Sequence, residues 1–195
     1  MKNVAMKIFA AIGAFSVIAV LVGFISFGGT LSKINSLDDQ AIPAFKEMFM
    51  KILKDGDPAK AMMNEYKVND DLSNDDVAES LYALAEEYNM RITGDVKMYT
   101  KEDAKPNEVK HARIFSMCSL HIAKIFLNHS RYFGGMMPCR VILVEYGNGD
   151  RYLVTMDLTL AIHGGKPLNK EMLELATHVY EAMTNIPAKA AEGDF

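Results

Sequence analysis

Apolar positions along this chain fall into blocks of different rhythm. In residues 8–27 there is no rhythm at all: every residue is Ile, Phe, Ala, Gly, Ser, Val or Leu, and no charge occurs between Lys7 and Lys33. Twenty helical residues at about 1.5 Å each reach about 30 Å, the hydrocarbon thickness of a bilayer. Twelve of the twenty are Ile, Leu, Val or Phe, each worth roughly −0.3 to −0.6 kcal/mol at the centre of a spanning helix. A secretory signal has a shorter apolar region, about 7–15 residues, and a small-x-small cleavage site; Ser26-Phe27-Gly28 is a weak candidate for one. A core helix carries a polar stripe, which this run lacks. The pattern predicts one uncleaved transmembrane helix within residues 1–30, with residues 8–27 in lipid.

Beyond it, residues 31–73 read as a mainly helical connector. Ile42, Phe45, Phe49, Ile52 and Leu53 recur at helical spacing, with Pro43 suited to a first turn. Lys54 to Pro58 breaks this helix, a short helical segment through Met62 and Tyr66 follows, and Val68 to Asn74 forms a boundary loop. The rhythm sharpens from residue 74. Ser73 or Asn74 caps a helix whose face is Val77, Leu81, Leu84, Ala85 and Tyr88, with Asp75 and Asp76 favourable in its first turn, and Asn89 as its stop.

Residues 92–99 and 112–118 alternate as strands around an exposed loop, and 119–128 favours a helix. Val141 to Val144 reads as a strand buried on both faces. Gly147-Asn148-Gly149-Asp150 is a hairpin turn leading to a partner strand at 152–156. An amphipathic helix from Asn169 through Met183 closes the domain, Pro187 ends it, and residues 188–195 form a frayed tail. Residues 74–187 therefore give the order α-β-β-α-β-β-α, an α+β domain in which helices pack on a sheet of about four strands.

Charge adds an orientation. Lys2, Lys7 and the amino terminus precede the apolar run, whereas Lys33, Asp38 and Asp39 follow it, which keeps the N-terminus inside and exports the rest. The expected location is the cytoplasmic (inner) membrane, single-pass, with a periplasmic domain. Without Lys2 and Lys7, 19 of the 21 basic residues remain against 25 acidic ones. An acidic domain with no basic run is a poor binder of nucleic acid. Cys118 and Cys139 are the only cysteines, and an exported pair permits a disulfide.

The chemistry-bearing residues concentrate around these two. Ile114-Phe115-Ser116-Met117-Cys118, then Met137-Pro138-Cys139-Arg140-Val141-Ile142-Leu143-Val144-Glu145-Tyr146, then Val154-Thr155-Met156-Asp157 resemble the family catalogued as "domain of unknown function 302". The resemblance spans about residues 74–187. It implies a small α+β fold, often a dimer, with no settled activity. The chain departs from the family pattern in having Ser119-Leu120 where Asn-Pro is common, and Leu158 where a proline usually follows the aspartate.

Read from the residues alone, Cys118 sits where a strand turns into a helix, whose N-terminus lowers a thiol's pKa, and Cys139 opens the next strand. A redox-active pair, an inert disulfide and simple packing all fit, and Cys-x-x-Cys is absent. His121 lies one helical turn from Cys118, and with Met117, Met136 and Met137 close in sequence a soft metal such as Cu(I) is a further option for Cys118, His121 and Cys139. Covalent haem attachment lacks its Cys-x-x-Cys-His motif. In the apolar run, Ala19 and Gly23 have the small-xxx-small spacing that permits helix pairing. The expected function is thiol-redox or sulfur-handling work, with a dimerising, non-catalytic binding or assembly module and a soft-metal or cofactor-binding protein as the alternatives. No cofactor is named by the sequence.

Overall fold

Five segments pair into one antiparallel sheet, and helices cover one of its faces. The computed structural model describes the backbone of residues 2–194, and their side chains except at 2–5, 7–11, 24–28 and 31. In chain order the elements are α1 (Lys2–Ile34), α2 (Ala41–Asp55), α3 (Pro58–Ala61), β1 (Met63–Lys67), α4 (Asn74–Glu87), β2 (Arg91–Thr100) and β3 (Val109–Cys118). There follow α5 (Leu120–His129), a 3₁₀ turn (Arg131–Met136), β4 (Cys139–Tyr146), β5 (Arg151–Met156), α6 (Thr159–His163) and α7 (Lys170–Glu192). Strand order across the sheet is β1-β5-β4-β3-β2, with every neighbouring pair antiparallel.

The period-two pattern decides what faces the helices. Phe115, Met117, Val141, Leu143 and Leu153 are fully buried, as are Leu81 and Leu84 of α4 and Ile186 of α7. Burial of such a side chain contributes about 1.5–3 kcal/mol. The polar ends follow capping rules. Ser73 caps α4 through a reciprocal capping box with Asp76, and Asn89 ends the helix at a positive φ of 53°, which asparagine tolerates better than most residues. The β4–β5 turn uses Gly149 at φ 91°.

Several expectations need correction. The sheet has five strands, since Met63–Lys67 is a strand and not part of a helical segment: it pairs with β5 from Met63↔Met156 to Lys67↔Tyr152. Met62 and Tyr66 have helical spacing, but the ladder offered by the free edge of β5 outweighs it. The domain therefore takes in part of the supposed 31–73 connector. At the other end, Pro187 does not stop α7, which runs to Glu192 with Ile186, Pro187, Ala190 and Ala191 buried. That apolar contact offsets the missing N–H, and the expected frayed tail is largely helix. The strand Val141 to Val144 is covered on one face only: Val141 and Leu143 are buried, whereas Ile142 and Val144 are half-buried on the open face.

The transmembrane expectation is also overturned. Among the described residues, no helix is long and apolar enough to cross a membrane. Of the span 8–27, residues 8–11 and 24–27 lie outside those whose side chains are described. The single-pass topology, the inner-membrane location with an outside domain, and the oxidising compartment expected for the cysteines all rested on that span and fall with it.

The two ends of the sheet differ in chemistry. From mid-strand toward one end the contacts are charged: Arg113 of β3 grips Asp95 of β2 through two bonds of 2.8 and 2.7 Å, with its guanidinium 4.9 Å from the Phe115 ring centre. Beside it, Glu145 accepts from Lys110 at 2.8 Å and from Asn74 at 2.7 Å. Arg151 donates to the backbone carbonyls of Asn69, Asp70 and Leu72. At the opposite end the side chains are sulfur-bearing and the packing is hollow.

Candidate functional site

The hollow end is assembled by four separate stretches of chain. Cys118 is the last residue of β3, and Cys139 the first of β4. Met117 stands directly opposite Cys139, so Cys118 is one step beyond that pairing. The strands are thus neighbours, and both cysteines are free thiols, each half-buried. Burial pushes the Cys118 thiol up. Burial, with a smaller push from Cys118, raises Cys139 to about 11. The lowering expected from the α5 N-terminus does not prevail, and both sulfurs are protonated thiols at neutral pH. His121 is exposed on α5. Among the described residues, no three His, Cys, Asp or Glu side chains gather in a metal-binding group, so Cys118, His121 and Cys139 do not form a ready-made ligand set.

Three cavities meet at this end, and Met136 lines all of them. The largest is a cleft of about 410 Å³. Ala44, Glu47, Met48 and Lys51 of α2 form one wall; Met62, Met136, Met156 and Phe133 contribute to the others. A small cavity of about 80 Å³ lies between Phe126, Phe133, Met137, Cys139 and Ile162. A third, of about 260 Å³, includes Met63, Cys139, Met156 and Met183.

Charge in the cleft is sparse and mostly committed. Lys51 pairs with Glu47 at 3.0 Å; that hydrogen bond raises the Lys51 pKa. Asp157 Oδ1 accepts from the Thr159 N–H at 2.8 Å and hydroxyl at 2.6 Å, and the Asp157 N–H donates to the Met62 carbonyl at 2.9 Å. The α2 wall is bolted down at its start, where the Asp38 N–H donates to the Gly165 carbonyl at 2.8 Å and the Asp38 carboxylate lies 3.2 Å from His163 Nδ1.

Sequence reasoning located the cysteines and Met136-Met137, but not Met48, Met62 or Met156 as partners in one site. The available signal was methionine abundance, fourteen in the chain, together with the doublets Met62-Met63 and Met136-Met137.

A single antiparallel sheet with helices on one face, and a cleft where its strand ends meet α2 and α6, defines an α+β sheet domain. The family model described as "Domain of unknown function DUF302" matches residues 64–190, and the chain belongs to that family. Its start at residue 64 agrees with β1 being integral to the domain. A solved structure, the uncharacterized conserved DUF302 protein from Bacillus stearothermophilus, shares the fold with a TM-score of 0.51 and 12% identity, over 66% of this chain and 98% of that one. No curated protein matches the chain.

Proposed function

We propose that this domain is a non-catalytic binding module whose ligand occupies the cleft beneath α2. The observation that carries the reading is the cleft itself: about 410 Å³, within the roughly 300–1,000 Å³ typical of small-molecule sites, with apolar walls and a few polar groups. The thiol-redox reading has less support, because a thiol held near 11 offers little thiolate to attack a disulfide. The test is titration of the full chain with N-phenyl-1-naphthylamine, a neutral probe that fluoresces in apolar surroundings. One saturable site per chain is expected. Ala161→Trp, placed in the cleft wall, should abolish it while the circular dichroism spectrum stays unchanged. A wild-type chain with no saturable site overturns the reading.

A second reading concerns assembly, and the uncovered sheet face favours it. Val96, Ile114, Ile142 and Val154 form a row across four strands, with Val96 56% exposed. The occupant we propose is a second copy of this chain. The rim of the same face carries charges of both signs, Glu65, Lys67 and Arg140, so a two-fold partner can set opposite signs against each other while the apolar rows meet. Sedimentation equilibrium should give a dimer at micromolar concentration and a monomer for Ile142→Glu. A monomeric wild type rules this reading out.

A further inference from the structure

Two sets of methionines stand apart among the described residues. Met90, Met117, Met172 and Met183 are at most 4% exposed and behave as core filler. Met48, Met136 and Met156 are half-buried, Met62 is 43% exposed, and all four line one cleft. They arrive from α2, from the turn before β1, from the 3₁₀ turn and from the end of β5, so no single helix face or strand accounts for their convergence. Thioether sulfur is a neutral, polarizable donor that is a poor ligand for hard cations and a good one for Cu(I) and its kind.

The charge in the cleft agrees. Lys51 is bonded to Glu47 and also feels the Asp157 charge, so the lining sets two carboxylates against one ammonium, and Asp157 engages one oxygen with Thr159. A net charge of about −1 beside four neutral donors suits a monovalent cation. We infer that the cleft binds a soft monovalent metal ion of the Cu(I) or Ag(I) type, held by the thioethers of Met48, Met62, Met136 and Met156. This inference names the ligand class of the binding reading and rests on it. No electron transfer is involved, since the ion enters and leaves in one oxidation state.

The experiment uses the full chain with Cys118→Ser and Cys139→Ser, so that thiols cannot supply the affinity. Ag(I) is titrated by calorimetry, and Cu(I) by competition with bicinchoninate. The expected result is one ion per chain. Carbon-13 methyl spectra should show the resonances of Met48, Met62, Met136 and Met156 shifting, while those of Met90 and Met172 stay in place. Met136→Leu with Met156→Leu should weaken binding at least tenfold; Met90→Leu with Met172→Leu should not. Leucine keeps the cleft apolar, so N-phenyl-1-naphthylamine binding should survive the first pair. Probe binding without Ag(I) binding overturns the metal inference and leaves the cleft reading standing, whereas loss of both overturns both. Ag(I) binding confined to the chain with its cysteines intact also overturns it.

Discussion

The two ends of the sheet solve opposite problems with the same five strands. On the Arg113 side, charged side chains from β2, β3 and β4 find partners within 2.7–2.8 Å. At the Cys139 end, methionine and cysteine sulfurs outnumber the few charges and three cavities adjoin. Partly buried charges demand fixed geometry, because an abandoned partner keeps its desolvation cost. Thioethers demand no such fixity, since methionine is flexible and adapts to gaps. Rigidity is therefore concentrated at one end of the strands and adaptability at the other, which is where a binding site can afford to open.

This contrast can be broken at four points. The largest effect is expected at Arg113: Arg113→Ala strands Asp95, whose side chain is 21% exposed, and should cost roughly 2–3 kcal/mol in urea denaturation. A loss below about 0.5 kcal/mol, the ordinary range for surface sites, would show that the charged end does not anchor the fold. Next comes Cys139. An ordinary thiol near 9.0 exposes about a hundred times more thiolate at neutral pH than one near 11, so iodoacetamide should modify Cys139 about a hundredfold more slowly than a free thiol. Its rate should rise about tenfold per pH unit up to pH 11; fast modification at pH 7 contradicts the burial argument.

Smaller still is Met136→Leu, expected to cost under about 1.5 kcal/mol because the swap conserves volume and apolarity. Denaturation that removes more than this would mean the hollow end is as tightly specified as the charged one. The smallest is a pH slope. Burial lowers the His111 pKa below 6.5, and its Nε2 is buried without a partner. The unfolded chain therefore takes up this proton at higher pH than the folded one, so the contribution is complete above 6.5 and is lost as pH falls through the folded value. His111→Gln should flatten that slope. Glu145 acts in a separate window: burial raises its pKa, but the bonds from Lys110 and Asn74 outweigh this and hold it below 4.5, so its contribution disappears only at lower pH.

What the sequence revealed depended on how local each signal is. The Ser73 cap, the Val77-Leu81-Leu84 face and the Gly147–Asp150 turn are decided by neighbours within a few residues, and all three are present. β1 was misread because it is five residues long and its outward positions Glu65 and Lys67 are polar; its identity comes from the partner edge, not from its own rhythm. Pro187 was misread because tertiary burial outweighed a local breaker. At the candidate site the cysteines stood out by rarity, whereas the four cleft methionines are drawn together by topology, which no spacing in the chain encodes. The apolar run 8–27 has the opposite lesson: composition suggested a span that the described residues do not supply.

Pairing of β1 with β5 carries a consequence for how the chain is made. Met63 must wait for Met156, 93 residues later (156 − 63), before that edge can be sealed. At translation rates of about 5–20 residues per second, the delay is roughly 5–20 seconds, during which Met62 and Met63 stay unsheltered on the nascent polypeptide. Synthesis at the ribosome thus makes the β2–β3 hairpin early and seals the β1 edge late.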